Sequence, residues 1–183
     1  MMNNTSLKAV QNVRLLADGM LGRLARWLRL LGYDTALETG ADDWVLVRRA
    51  RAEGRLLLTR DRQLAARRGL EALLIQSQAL EDQVRQVILA VGPPMEGAFS
   101  RCPVCNEPLL ALSHEQAGNR VPRHVHRTQQ AFFLCPVCQR VYWRGTHWEK
   151  MKQMMNRWQD LTLPPDRGIM EGKSEQPVAD RGE

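Results

Sequence analysis

Two sets of side chains in this sequence are spaced for metal chemistry. RCPVCNEPL and LCPVCQRVYW place Cys102, Cys105, Cys135 and Cys138 in two C-x2-C turns separated by 29 residues. Each turn presents two thiolates from one tight bend, and two such bends complete a tetrahedral all-sulfur site of the kind that holds zinc. The competing use, two disulfides, goes with export, and MMNNTSLKAVQN at the amino terminus lacks the apolar run of a leader. Every cysteine of the chain falls in this repeat, so zinc is the expected occupant. Four thiolates fill the coordination sphere and leave no position for water or substrate, which makes the expected zinc structural and leaves His124 and His126 as surface residues.

The second set is acidic. The apolar run of VRLLADGM ends at Asp18, and that of RLLLTRDRQL ends at Asp61. In a parallel α/β sheet, sites lie beyond the carboxyl ends of the strands, above all where strand order reverses. GADDWVLVRRA supplies a third acid from a helix start: Asp43 shares a helical face with Leu46, Val47 and Ala50, whereas Asp42 takes the N-cap position. Asp43 would serve almost as well as a favourable first-turn charge. Two carboxylates about 4 Å apart repel by roughly 4 kcal/mol at an effective dielectric of 20, so clustered acids call for a cation. Hard oxygen ligands without histidine select Mg2+ or Mn2+, ions suited to in-line phosphodiester displacement. Thr59 is placed to orient a ligand, and Arg23, Arg26, Arg60 and Arg62 to engage phosphates, against a plainer use of each arginine as a surface cation. Asp34, in LGYDT, begins its strand and is assigned to the opposite edge.

The elements that must position these groups follow from periodicity. Strands are expected over 13–17, 34–38, 55–59 and 70–75. Between the first two, Leu21, Leu24, Leu28 and Leu31 recur at helical spacing and Gly32 stops the helix. A second helix ends at Gly54, a short one covers about 61–68, and a longer one runs from about 80 to 91. This alternation argues for a parallel, three-layer α/β sheet over 13–92, preceded by a flexible segment over 1–12. GPPMEGAFS marks a linker over 93–100, the four cysteines organise a small zinc ribbon over 101–145, and THWEKMKQMMNRW gives a helix over 146–158. In that helix Thr146 and Glu149 have capping-box spacing, and Trp148, Met151, Met155 and Trp158 form a stripe expected to dock on the α/β domain. The polar, Pro- and Gly-containing end over 159–183 is expected to be disordered.

With 183 residues, 44% hydrophobic and 25% charged, the chain has room for one main core and a small appendage. No stretch is long and apolar enough for a membrane span, so a cytoplasmic location is expected. The formal charge is +6, and because Lys8, Lys150, Lys152 and Lys173 are the only lysines, the remaining 22 basic residues are arginines. Arginine suits phosphate, although a GC-rich genome accounts for the bias equally well. Tyr142 and Trp143, between Arg140 and Arg144, have the types that stack on unpaired bases beside phosphate-binding cations; ribbon core is the plainer role.

DGMLGRLARWLRLLGYDT, ADDWVLV, GRLLLTRDRQL, RCPVCN and CPVCQRVYWRGTHWEKM resemble, in order and spacing, the Mut-seven C-terminal RNase domain family over roughly 13–155. That resemblance implies a PIN-like nuclease domain fused to a zinc ribbon, with Asp18, Asp43 and Asp61 in the acidic cluster and Asp42 as a further contributor. PIN-like sites often carry a fourth acid after the fourth strand; LEALLIQSQAL offers none. Two functions follow. One is a metal-dependent ribonuclease acting on single-stranded RNA, the ribbon aiding fold and RNA binding. The other is a non-catalytic RNA-binding module, associated with the ribosome or another protein. A phosphatase or receiver-like use of Asp18 is weaker, because DGM lacks the second acid two residues on.

Overall fold

The computed structural model of the chain describes residues 13–94 and 97–160. Within them, β1 (Leu15–Asp18) leads through a short 3-10 turn (Gly19–Leu21) into α1 (Gly22–Leu31), followed by β2 (Thr35–Glu38), α2 (Asp43–Glu53), β3 (Leu56–Thr59), α3 (Arg62–Ala65), β4 (Ala72–Leu74) and α4 (Leu80–Val91). The four strands pair in parallel in the order β2-β1-β3-β4. Strand order therefore reverses between β1 and β3.

Strand alternation explains why helices cover both faces. Leu15, Ala17 and Leu58 point to one side, where they join Leu24 and Leu28 of α1 and Val84 and Val87 of α4. Leu16, Ala36 and Leu57 point to the other, against Leu46, Val47 and Ala50 of α2 and Leu64 of α3. A one-residue slip of β1 would exchange the two sets, so burial fixes the register. At Gly32, φ is 103°, a left-handed cap that an L side chain adopts only with strain.

The remaining elements are β5 (Leu110–Leu112), α5 (His114–Ala117), α6 (Arg123–Thr128), β6 (Phe132–Leu134), β7 (Val141–Trp143) and α7 (Thr146–Asp160). Strands β5, β6 and β7 form an antiparallel sheet over a small cluster of Ala117, Val121, Val125 and Phe132. From α7, Met155 is buried in the main core and Met154 packs against it, the docking expected of that helix; the side chains of Thr146 and Trp158 lie outside the described residues, as do 1–12 and the tail from 161. The helix runs to Asp160, two residues beyond the sequence boundary. No helix among the described residues is long and apolar enough to cross a membrane.

The first cysteine knuckle is clamped to the amino edge of the parallel sheet. Arg29, only 4% exposed, donates Nη1 to the carbonyls of Val104 at 2.7 Å and Pro103 at 3.2 Å, and Nε to that of Thr35 at 2.8 Å. Asn106 accepts from the Thr35 amide and donates Nδ2 to Asp34 at 2.7 Å. Burial lowers the Arg29 pKa, with the nearby Cys102 and Cys105 opposing. Asp34 also pairs with Arg55 at 2.7 Å; against the cost of burial, the bonds from Arg55 and Asn106 leave its carboxyl below the ordinary range. This aspartate is thus a tie between two parts of the fold, at the edge away from Asp18 and Asp61.

Candidate functional site

At the carboxyl edge, each strand end contributes one group by a local rule. Asp18 terminates β1 and caps the following turn, its Oδ1 accepting from the Met20 amide at 2.7 Å. Asp61 caps α3, its Oδ1 accepting from the amides of Gln63 at 2.7 Å and Leu64 at 2.9 Å. Thr59 joins the two: its hydroxyl donates to Asp18 Oδ2 at 2.5 Å and accepts from the Asp61 amide at 3.0 Å. Thr59 is fully buried, and its hydroxyl links the two acids from beneath. No donor among the described residues reaches Asp61 Oδ2.

Asp18, Asp43 and Asp61 line one open cleft of about 420 Å³, together with Glu38. Glu38 is the acid that sequence reasoning missed. It ends β2 directly opposite Asp18 in the register, so the rule that singled out Asp18 and Asp61 reaches it too. Around β4, the segment LEALLIQSQAL supplies no acid to this cleft. Gly19 keeps the turn close to this point, since a Cβ there would lie 3.3 Å from the Glu38 carbonyl oxygen.

The cations paired with two of these acids were also unforeseen. Arg49 pairs with Glu38 at 2.6 Å and with Glu53 at 2.8 Å, and hydrogen bonding to Glu53, its largest influence, raises its pKa. Arg67 pairs with Asp43 at 2.8 Å, in an exposed bridge. None of Arg23, Arg26, Arg60 and Arg62 lines the cleft. Arg23 is exposed on α1, and Arg26, carried further along that helix at about 1.5 Å per residue, lines instead a groove with Tyr142, Trp143 and Trp148. Asp42 is the exposed N-cap residue of α2, its side chain making no cap bond, and it is not part of the cleft wall.

The cysteines form a different kind of site. All four Sγ atoms lie within 4.8 Å of one another, the one group among the described residues close enough to share an ion. Cys105 and Cys135 are 3.3 Å apart and Cys102 and Cys138 3.6 Å apart, far beyond a disulfide length of about 2.05 Å and near the roughly 3.8 Å edge of a tetrahedron with 2.3 Å zinc–sulfur bonds. The donor set fits zinc. Without a cation, burial pushes the Cys105 thiol up to about 12. Cys102, despite burial that raises it, is lowered to about 7 by the Tyr142 hydroxyl, 3.1 Å away, and by backbone amides. Tyr142 is therefore a support of the knuckle, and its own hydroxyl is raised by burial and by Cys102.

Residues 13–155 match the family model of the Mut7-C RNAse domain. A mixed α/β chain with a parallel four-stranded sheet, an acidic cleft at its switch point and a four-cysteine cluster defines the class, and with the match covering most of the chain, this protein belongs to the Mut7-C RNAse domain family. No curated protein and no solved structure matches the chain.

Proposed function

We propose that this protein is a metal-dependent ribonuclease that hydrolyses phosphodiester bonds of single-stranded RNA in the cytoplasm, with a PIN-like nuclease domain over 13–92 and a structural zinc ribbon over 101–145. The observation that carries this reading is the convergence of Asp18, Glu38, Asp43 and Asp61, from four separate elements, on one cleft in a chain of an RNase family. An all-carboxylate donor set without histidine or cysteine suits Mg2+ or Mn2+. When bound, such a cation supplies Lewis-acid polarisation of the phosphoryl oxygen.

The chain's own residues do the rest. Thr59 and the Met20 amide hold the Asp18 carboxylate in a single orientation, and the α3 amides bind one oxygen of Asp61, the other accepting no bond from the described residues. Arg67 and Arg49 balance Asp43 and Glu38; the Arg67–Asp43 bridge is exposed and therefore weak, so Asp43 would be released to hold a cation at little cost.

A non-catalytic RNA-binding or ribosome-associated role is favoured by one observation: Asp18 and Asp61 already serve as caps, so their presence has a structural explanation. Incubating zinc-loaded protein with end-labelled single-stranded RNA, with and without Mn2+ or Mg2+, separates the two. We expect cleavage that depends on the added metal and is lost in Asp61→Asn. RNA left intact across a broad panel of sequences, despite binding, would replace the nuclease by the binding module.

A further inference from the structure

Beside the acidic cleft, on the next face of α2, lies a second concave surface with the opposite character. Trp44 is 55% exposed, and it borders an open hollow of about 510 Å³ with Val47, Arg48, Arg51, Ala52 and Arg67. Among the described residues, no carboxylate lines it. The Arg48 guanidinium sits over the Trp44 ring, 4.9 Å from its centroid. Arg51 is held in place by the carbonyls of Gly69 at 3.1 Å and Arg68 at 2.7 Å, so its charge is positioned without being neutralised. Arg67 stands on the boundary, reaching from this hollow to Asp43 in the cleft.

We propose that this surface is a strand-binding subsite: an unpaired RNA base stacks at Trp44 while Arg48, Arg51 and Arg67 take the phosphates that lead into the cleft. The inference rests on the ribonuclease reading for the identity of its ligand. Arg48 and Arg51 have no carboxylate partner among the described residues, and Arg67 is held only by the exposed Asp43 bridge, an arrangement that favours a polyanion. An exposed indole adds what phosphate binding alone does not need, a flat apolar face on which any base can stack. Position supplies the third argument. Residues Asp43 and Trp44 are adjacent at the start of α2, one turned to the cleft and the other to the hollow, so a strand held at Trp44 has its neighbouring phosphate at the acids.

The test uses the full zinc-loaded chain without added Mg2+ or Mn2+, so that binding is read apart from cleavage. The probes are a fluorescein-labelled oligouridylate of about ten nucleotides, within the usual range of single-strand site sizes, and an abasic oligomer of equal length. Trp44→Ala should weaken oligouridylate binding about fivefold or more and leave the abasic oligomer unchanged, while Trp44→Phe restores most of the loss. Arg48→Gln should weaken both probes and flatten the salt dependence. Unchanged oligouridylate affinity in Trp44→Ala, or an equal loss for both probes, overturns the subsite even if the wild-type chain cleaves RNA. Conversely, base-dependent loss in Trp44→Ala upholds it even if no cleavage occurs, in which case the nuclease reading alone falls.

Discussion

The four cysteines and the four cleft acids are both candidate metal-binding sets, yet they are built in opposite ways. The sulfur atoms already stand within 4.8 Å of one another, whereas no acidic group among the described residues meets that spacing. Two short turns supply the cysteines, each bringing two ligands by local geometry; the acids come singly from β1, β2, α2 and the β3–α3 junction. The thiols have little alternative use in this fold, while each of the four cleft acids is engaged by a backbone amide, a hydroxyl or an arginine. A closed site of soft ligands holds a fold together. The acids instead line an open cleft, each already bonded within the fold.

The sharpest break of this contrast is loss of zinc. Cys135→Ser should abolish stoichiometric zinc binding, and because such binding contributes on the order of 10 kcal/mol in small zinc modules, the ribbon should unfold; metal analysis and hydrogen exchange over 101–145 would show it. If the acids instead fail first on chelation, the two sites are coupled through the Arg29 clamp.

Substitution of Asp18 tests whether a carboxylate there does more than cap. Asn is as good a cap as Asp, whereas Ala costs about 1 kcal/mol. Asp18→Asn should therefore keep its melting temperature within a few degrees yet lose about 10²-fold or more of its activity, and Asp18→Ala should lose both. Equal activity in wild type and Asp18→Asn would reduce this acid to its structural role.

The smallest effect concerns the tie between the two parts. The Asp34 pKa lies below its unfolded value, so its contribution to stability is complete above the ordinary carboxylate range near pH 4 and is lost as pH falls through the lower, folded value. Denaturant unfolding between pH 7 and 3 should show stability decreasing at the acid end, with a shallower decrease in Asp34→Asn. An identical profile in the variant would mean that other carboxylates set the acid limit.

Much of this was readable in advance. All four parallel strands lie within about two residues of the apolar runs that announce them, because a buried strand cannot hide a charge mid-run. Asp18, Asp43 and Asp61 were legible as acids at one edge, since strand ends and helix starts in a parallel sheet share that edge. Glu38, at the end of β2, was legible by the same rule. Arg67 was not legible: it lies 24 residues from Asp43 in the chain, and nothing in its neighbours marks it.

The sequence by itself determined the cysteine site, because a C-x2-C turn carries its ligand geometry within four residues, and it determined the alternation of strands and helices, because burial imposes period. Only the tertiary structure decided which acids meet. The order β2-β1-β3-β4 sets Glu38 beside Asp18 and brings Asp61 to the other side of the same strand end. It also decided which arginines accompany them, since side-chain reach across the sheet edge depends on how the helices pack and not on spacing along the chain.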